Sequence, residues 1–548
     1  MTPPAPVAIV GAGPVGLHLA LRLVDLGVSS VVVEAGARLR GEGSKALCMQ
    51  KETLEAWARL GFGEQVAARG VAWTLGRTYY RDRELFQTSF PVVGRDHFPP
   101  FVNVSQTEVE ELMVARAEAS ARIDLRWEHE LVGLDQDDAG VTLTCTTPDG
   151  DVEVHAAYLA GADGSRSTVR RLLDVDFPGH SHTDKFLIAD VRAALPFPNE
   201  RRFFFDPPWN PGRTVLVHPQ PDSVWRIDWQ VPPDLDLAEE RRSGRLDARI
   251  RRIVGDAAYD VVWVTAYRFH QRLADRFRVG RVFLVGDAAH LMSPFGARGL
   301  NSGVADAENL AWKLAWVLSG RSPDSLLDTY HDERRAAASE NLAVTDATMR
   351  FMVPPSRMQR LSRNAVLRLS RLSARARIRV DSGRLATAHV YERSPVVEAA
   401  AGTDGPRPGS VAPDGPVEGL SGPPARRLRE LLGREVLGLL IVPVDWVAPS
   451  RWPVAPTLVV VPTGSARPPL PEHVAVVVDS DGVLARTYAP AGLPAGGVLY
   501  VVRPDSHLAA RRDLAHAEEL AQLPDLVSFA AGRESAALRP RRPDRRGR

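Results

Sequence analysis

"VAIVGAGPVGLHLALRLVDLGVSSVVVE", Val7–Glu34, decides the fold of the N-terminal part of this chain. Val7–Val10 is a short apolar run suited to a buried parallel strand. Gly11, Gly13 and Gly16 follow in G-x-G-x-x-G spacing, with Pro14 and Val15 between them. Leu17 to Leu26 has helical spacing and Gly27 stops it; "SVVVE" reads as the second strand. Gly11 makes the tight turn, Gly13 lets backbone approach a pyrophosphate, and Gly16 lets helix and sheet pack closely. The free N–H groups of the helix N-terminus face the phosphates. Glu34 lies 23 residues after Gly11, where an acidic side chain accepts hydrogen bonds from a ribose. This context points to a dinucleotide and leaves FAD and NAD both open.

The whole chain sets bounds around that unit. At roughly 150 residues per domain, 548 residues predict two to four domains. Apolar content of 44% and charged content of 25% are those of a soluble globular protein. A net charge of +1 gives no reason to expect nucleic acid. The closing "RPRRPDRRGR" is basic and reads as a solvated tail. Cys48 and Cys145 are the two cysteines, so a disulfide framework, a cysteine-rich metal site and a C-x-x-C pair are excluded. That usage fits a reducing cytosol, and a cytoplasmic location is expected. No apolar run approaches the ~18 residues of a membrane span, so no membrane association is expected. The first residues lack a basic n-region and read as strand, turn and helix rather than a signal peptide.

A second glycine-rich stretch, "GRVFLVGDAAHLMSPFGARGLNSG", ends at Gly303. It opens with a strand at Val282–Val285, passes Gly286–Asp287, and leads into a long helix from about Asn301. Together with "GADGSRSTVRR" (Gly161–Arg171) and the N-terminal fingerprint, it resembles the aromatic-ring hydroxylases, single-component FAD monooxygenases, over residues from about 5 to 345. The resemblance implies an α/β and α+β architecture. A Rossmann-like FAD-binding domain of the p-hydroxybenzoate hydroxylase type would carry an inserted β-sheet substrate domain. The implied boundaries are 1–180 for FAD binding, with part of the substrate sheet around 73–100, then 181–275 for the substrate sheet and 276–400 for the second FAD-binding segment and helices.

The implied ligand is FAD, with NADPH or NADH as co-substrate. Gly11, Gly13, Pro14, Val15, Gly16, Glu34, Ala35 and Gly286 would belong to the FAD site. Asp287 would accept hydrogen bonds from ribityl hydroxyls. Pro294 and Gly296 would lie along the flavin edge where oxygen reacts. Gly299, Leu300 and Asn301 would present backbone N–H groups to the N1/O2 edge, where a helix N-terminus favours negative charge. Asp163, Gly164 and Arg170 would contribute to FAD and nicotinamide binding, or Arg170 would only pair with Asp163. Lys45 stands where relatives carry arginine near the phosphates, and lysine lacks the bidentate fork. Gln106 matches a glutamine near the adenine end, or else caps a helix. Arg298 would position an anionic substrate or a nicotinamide phosphate, or else is an exposed loop arginine. His290 is expected to pack and hydrogen-bond, and Cys48 to be a small buried residue.

The stretch from about Thr183 to Arg272 has strand patterning. In "VWRIDWQV", Trp225, Ile227 and Trp229 share one face and Arg226, Asp228 and Gln230 the other. In the family such a sheet roofs the substrate pocket; Tyr267 is a further pocket or core candidate. "SRMQRLSRNAVLRLSRLSARARIRV" (Ser356–Val380) is a basic amphipathic run that reads either as a membrane-surface helix or, as expected here, as one docked on the FAD domain with its arginines in water. Asp404–Pro424 is rich in proline and glycine and reads as a linker. Residues 425–535 resemble the thioredoxin-like C-terminal domain of the larger members, such as phenol hydroxylase, with helices expected at "ARRLRELLG" and "LAARRDLAHAEELA". Without cysteines it cannot perform thiol chemistry and reads as structural or dimer-forming, which makes a homodimer a candidate assembly. Residues 536–548 form the basic tail.

The implied reaction is hydroxylation of a phenolic or polyketide aromatic ring by O2 through a flavin C4a-hydroperoxide. A Baeyer–Villiger monooxygenase on the same fold, or a non-catalytic FAD- or ligand-binding protein, would share the glycine turns.

Overall fold

The structure is a computed structural model that describes residues 6–39, 46–90, 97–354, 356–380, 387–399, 404–421, 425–465, 470–471 and 474–533. Lys45 and the tail 536–548 lie outside the described residues. The chain divides into two compact units, one from Met1–Glu308 and Arg334–Thr387, the other from Asn309–Glu333 and Ala388–Arg548. The expected segment 276–400 is therefore not one body: Asn309–Glu333 groups with the C-terminal residues.

In the first unit, strand Val7–Val10 pairs in parallel with Ser30–Val33 on one side and Tyr158–Gly161 on the other. Strand Val282–Leu284 continues the sheet beside Tyr158–Gly161. Both central strands are buried along their full length, so they read as unbroken apolar runs rather than alternating ones. The helix Pro14–Asp25 leaves the first strand with Pro14 in its first turn, where a missing N–H costs nothing. The carboxyl ends of the three strands thus bring together the segments that follow Val10, Gly161 and Leu284.

An eight-stranded sheet forms the second layer of this unit. Its long central strands are Gly179–Ala193, Val224–Val231 and Tyr259–Leu273. Leu75–Tyr80 and Arg83–Ser89 complete one edge, and His290–Leu291 pairs with the end of Tyr259–Leu273 at the other. One face packs dry. Leu187, Ala189, Val191, Val215, Val217, Trp225, Ile227 and Trp229 meet Leu246, Ile250 and Val254 of the helix Arg245–Val254. Burying each large side chain there stabilises the fold by roughly 1.5–3 kcal/mol. The other face carries Phe186, Phe203, Phe205, Leu216 and Phe269, packed with Phe295, Met349 and Met352.

The second unit has a six-stranded mixed sheet. Leu437–Ile441, Thr457–Pro462 and Val474–Asp479 run parallel; Gly497–Val502 and Leu508–Leu514 add antiparallel strands. Three expectations fail here. The segment read as a linker at 404–424 contains strand Glu418–Ser421, paired with Val474–Asp479, and buries Ala412 and Val417 in the core of the unit. "LAARRDLAHAEELA" is not a helix but strand Leu508–Leu514 followed by a 3-10 turn at Ala517–Gln522. Its alanines, leucines and arginines favour helix, but pairing with the buried strand Gly497–Val502 overrides that weak preference. "ARRLRELLG" forms only a 3-10 turn at Leu428–Leu431.

A fully buried charge network lies inside the second unit. Glu333 accepts hydrogen bonds from Arg503 Nη1 (2.5 Å) and Nη2 (2.9 Å), Lys313 Nζ (2.7 Å), Asn309 Nδ2 (2.6 Å) and Ser394 Oγ (2.5 Å). Asp505 closes the network on the other side of Arg503. Burial lowers the Lys313 ammonium to about 8 despite Glu333 beside it.

Candidate flavin and substrate site

The three glycine-containing motifs meet at the first turn. Gly11 has φ +107, and a Cβ there would lie 2.6 Å from the Ala162 carbonyl oxygen. A Cβ on Gly16 would lie 2.1 Å from the Gly11 carbonyl oxygen. Val15 fills the space above Gly286 and Gly303, where added Cβ atoms would come within 3.2 and 2.5 Å of its Cγ2. These glycines are needed for protein packing. Gly13, Gly164 and Gly299 are different: a Cβ on any of them would meet no protein atom within 4 Å. Gly164, at φ +76, is glycine for its backbone alone; at Gly13 and Gly299 a small residue facing open space is what a backbone-hugging ligand requires.

The polar groups around that space fit FAD. Glu34 is tied into the turn, accepting hydrogen bonds from Ala12 N and Gly36 N, each at 3.0 Å. Ala35 beside it is exposed. Asp163 Oδ2 accepts from Thr168 N (2.6 Å) and Val169 N (3.0 Å), while its buried Oδ1 has no partner. An orphaned buried carboxylate oxygen is an acceptor waiting for a donor such as a ligand hydroxyl. Arg170 does not hydrogen-bond Asp163. Its Nη1 donates to Ala288 O (2.8 Å) and its Nη2 to Ser165 O (3.0 Å), and its guanidinium lies 3.9 Å from the centroid of the Phe177 ring. It braces the Asp163 turn against the segment that carries Asp287. Gln106 opens the helix Gln106–Glu118; its Oε1 accepts from Ala46 N (3.1 Å) and its Nε2 donates to Glu110 (2.7 Å).

The second glycine segment is anchored at both ends. His290 is buried, 2.7 Å from Asp306, which also accepts from Gly286 N (3.1 Å) and Arg334 Nε (2.6 Å). Burial would raise the Asp306 carboxyl, but His290 and Arg334 outweigh it and hold it low. His290 is thus a packing and hydrogen-bonding residue. Pro294–Ala297 turns back on itself through Ala297 N to Pro294 O (3.0 Å), with Ala297 in the left-handed region at φ +54. Asn301 clamps that strained residue. Its Nδ2 donates to Ala297 O (2.6 Å) and Cys48 O (3.0 Å), and its Oδ1 accepts from Gln50 N (3.1 Å) and Thr53 Oγ1 (2.6 Å). Pro294 is exposed, while Gly299 and Leu300, half-buried, open the helix Gly299–Leu318. Arg298 is buried rather than exposed, and it donates to Asn341.

Two aromatic clusters bracket this loop. Phe295 stands 5.2 Å from Phe186 and 5.9 Å from Phe269, ring centroid to ring centroid. Ala297 packs against the cluster of Cys48, Trp73 and Phe101, as does Phe90. Burial pushes the Cys48 thiol up to about 12, which keeps it inert. Tyr267 is half-buried on the same sheet face, its phenol raised by burial and by Asp287.

The polar half of the sheet face was not assigned a role from sequence. Arg226 donates to both Asp190 oxygens at 2.8 Å, and Gln220 adds a third bond at 2.8 Å. Asp228 follows on the same face, between Leu216 and Ile188 on the neighbouring strands. His218 lies opposite Arg226 and 6.3 Å from the Trp73 ring. The signal was present in the alternation itself: three polar residues on one face of a strand that is paired on both sides.

Residues 4–345 match the profile of the FAD binding domain family. A 12-dehydrotetracycline 5-monooxygenase/anhydrotetracycline 6-monooxygenase from Streptomyces rimosus is 35% identical over 65% of this chain and 71% of its own. A 3-(3-hydroxy-phenyl)propionate/3-hydroxycinnamic acid hydroxylase from Comamonas testosteroni is 32% identical over 66% of this chain, which spans 61% of that relative. The solved flavin-dependent monooxygenase PieE, in complex with FAD and substrate, shares the fold over 97% of this chain and 100% of its own, with a TM-score of 0.79 at 23% identity. The chain belongs to the FAD binding domain family and, within it, to the FAD-dependent aromatic-ring hydroxylases.

Its cofactor is FAD, and its chemistry is monooxygenation. Among the described residues no helix is long and apolar enough to cross a membrane, and no cluster of His, Cys, Asp or Glu could hold a metal.

Proposed function

We propose that this monooxygenase uses NADH or NADPH and O2 to hydroxylate a phenolic or polyketide aromatic ring. The ring would bind between the loop Pro294–Arg298 and the inner face of the eight-stranded sheet. The observation that carries this reading is the aromatic seam of Phe186, Phe269 and Phe295, which packs the roof onto the loop.

When bound, FAD supplies hydride acceptance from a nicotinamide and activation of O2. The protein supplies position and dryness. The Gly11–Gly16 turn and the helix behind it would hold the pyrophosphate, and Asp163 and Asp287 the hydroxyl-bearing chain. The N-terminus of Gly299–Leu318 would stabilise negative charge on the ring system, by about 0.3–1 kcal/mol if exposed and up to ~2 if partly buried. Phe186, Phe203 and Phe295 would exclude water from the oxygen-transfer step. Pro294 and Gly296 would flank the reacting edge; Arg298, held by Asn341, would shape the loop between them.

NAD(P)H oxidation by the holoprotein, measured across phenols and polycyclic aromatic ketones with product masses, tests the proposal. Stimulated oxidation with a ring hydroxyl in the product is expected. An inserted ester oxygen would make the enzyme a Baeyer–Villiger monooxygenase. No stimulation by any aromatic compound would contradict the proposal.

A further inference from the structure

Resting on that reading of a phenolic substrate, we infer that Asp228 is the base that takes the proton of the substrate hydroxyl. The residue sits near the middle of Val224–Val231, a strand paired on both sides. Its neighbours across the ladders are apolar, Ile188 and Leu216, and both belong to or pack on the cluster that contains Phe295 of the flavin loop. Its carboxylate makes no hydrogen bond to the described residues, and Oδ1 is buried without a partner.

The contrast with Asp190 is instructive. That carboxylate faces the same way, two positions along the neighbouring strand from Ile188, the partner of Asp228, and is saturated by Arg226 and Gln220. The guanidinium of Arg226 is thereby committed, and Asp228 is left without a donor. Asp228 is half-buried, and an oxygen sealed from water without a donor, as its Oδ1 is, is costly unless something arrives to supply one. The other groups on this face do not supply it. His218 is kept neutral, its pKa driven well below the ordinary value by burial and by Arg201 and Arg226. Its Nδ1 is also buried without a partner. Tyr267 lies further along the face, toward Asp287. A phenol fits this set: an O–H for the carboxylate, a ring for the phenylalanine seam.

Burial pushes Asp228 up to about 7, with Arg226 opposing that rise and Asp190 adding to it. An aspartate in that range is matched to a phenol far better than an ordinary one, because proton transfer is efficient when the two affinities approach each other. In the step, the phenol O–H bond breaks and an O–H bond forms on Asp228. The electron pair stays on the phenolate oxygen, which enriches the ring for attack on an electrophilic oxygen. No oxidant is needed for this step, and the proton returns to the product phenolate on release.

The test uses 4-nitrophenol, whose anion is coloured and whose neutral form is not, with FAD-loaded protein and no nicotinamide. Wild-type protein is expected to show more of the phenolate band than free 4-nitrophenol does just below pH 7, where the Asp228 carboxyl is still partly ionised and can take the proton of the bound phenol. Asp228→Asn, nearly isosteric and checked for folding by its flavin content, should bind the phenol with that band suppressed about tenfold or more. With a turned-over phenol its rate should fall about 10²-fold and recover as pH rises toward ionisation of the free substrate. Asp228→Glu should restore part of the band. A variant that holds FAD and still forms the phenolate overturns the assignment. So does a wild-type protein that holds FAD but leaves 4-nitrophenol unperturbed at every pH, a measurement that needs no variant. A colourless protein that cannot be loaded with FAD overturns the broader reading, and this one with it.

Discussion

The two faces of the strand Val224–Val231 differ in what they are for. Trp225, Ile227 and Trp229 face a helix and are almost fully buried in apolar contact. Arg226 and Gln230 face the other way and are buried, and Asp228 between them is half-buried, yet all three are polar. On an ordinary half-buried strand the polar face meets water. Here both faces are covered, so polarity on the second must be satisfied internally or kept for a ligand. Arg226 and Gln230 are satisfied; Asp228 is not. The difference separates residues that hold the sheet together from one that the fold tolerates at a cost.

Substitutions on the two faces should therefore diverge. Trp229→Ala opens a cavity in the dry face and is expected to cost ~3–5 kcal/mol in urea unfolding, lowering stability without a specific effect on substrate. A much smaller loss would mean that this face is not close-packed. Arg226→Met should cost a similar ~3–5 kcal/mol by stranding the buried Asp190 carboxylate. The double variant Arg226→Met/Asp190→Leu should recover much of that loss; failure to recover would show that the pair is not self-contained.

Asn301→Ala removes a side chain that makes four bonds to Cys48, Gln50, Thr53 and Ala297. It should cost about 1–3 kcal/mol and weaken FAD binding, because the strained turn at Ala297 loses its clamp. Fluorescence titration with FAD reads the second effect.

Asp228→Asn should move the other way, for a reason of sign. The folded carboxyl is raised from 3.8 to about 7, so between those values the folded protein holds a proton that the unfolded chain has released. Stability of the wild type therefore falls as pH rises across that window and stays lowered above it. The asparagine variant escapes the penalty. It should be more stable by roughly 1–3 kcal/mol above pH ~7, after discounting for partial solvent access, and by nothing below pH ~4. Thermal unfolding at the two ends of the window checks this. Equal stability at both ends would show that the fold does not raise the Asp228 carboxyl.

Much of this could be read in the residues alone, and unevenly. The strand, turn and helix of Val7–Asp25 announce themselves because three glycines and a proline obey strict steric rules. The helix after Gly299 and the roof strand are equally plain. What escaped reading depends on pairing between distant residues. The strand Glu418–Ser421 hides in a proline-rich stretch because only its partner Val474–Asp479 makes it a strand. Leu508–Leu514 has helix-favouring residues and is a strand for the same reason. At the site, Gly11, Gly13 and Gly16 were read with separate roles, but the division runs further: Gly11, Gly16, Gly286 and Gly303 serve protein packing, while Gly13, Gly164 and Gly299 face open space. Arg298 was weighed as an exposed residue and is buried against Asn341, which no local pattern predicts.

That division of the glycines offers the most direct test of the account, which holds that the space in front of them belongs to FAD. Gly13 has an extended backbone at φ −73 that valine adopts readily, and a Cβ there meets no protein atom within 4 Å. The measurement is a titration of apoprotein with FAD, for wild type and Gly13→Val. The account predicts saturable, one-to-one binding by the wild type and, in a variant that folds with unchanged stability, a loss of affinity of about 10²-fold or more, equivalent to ~3 kcal/mol. Wild-type protein that binds no FAD, or a folded variant that binds it equally well, would contradict the account.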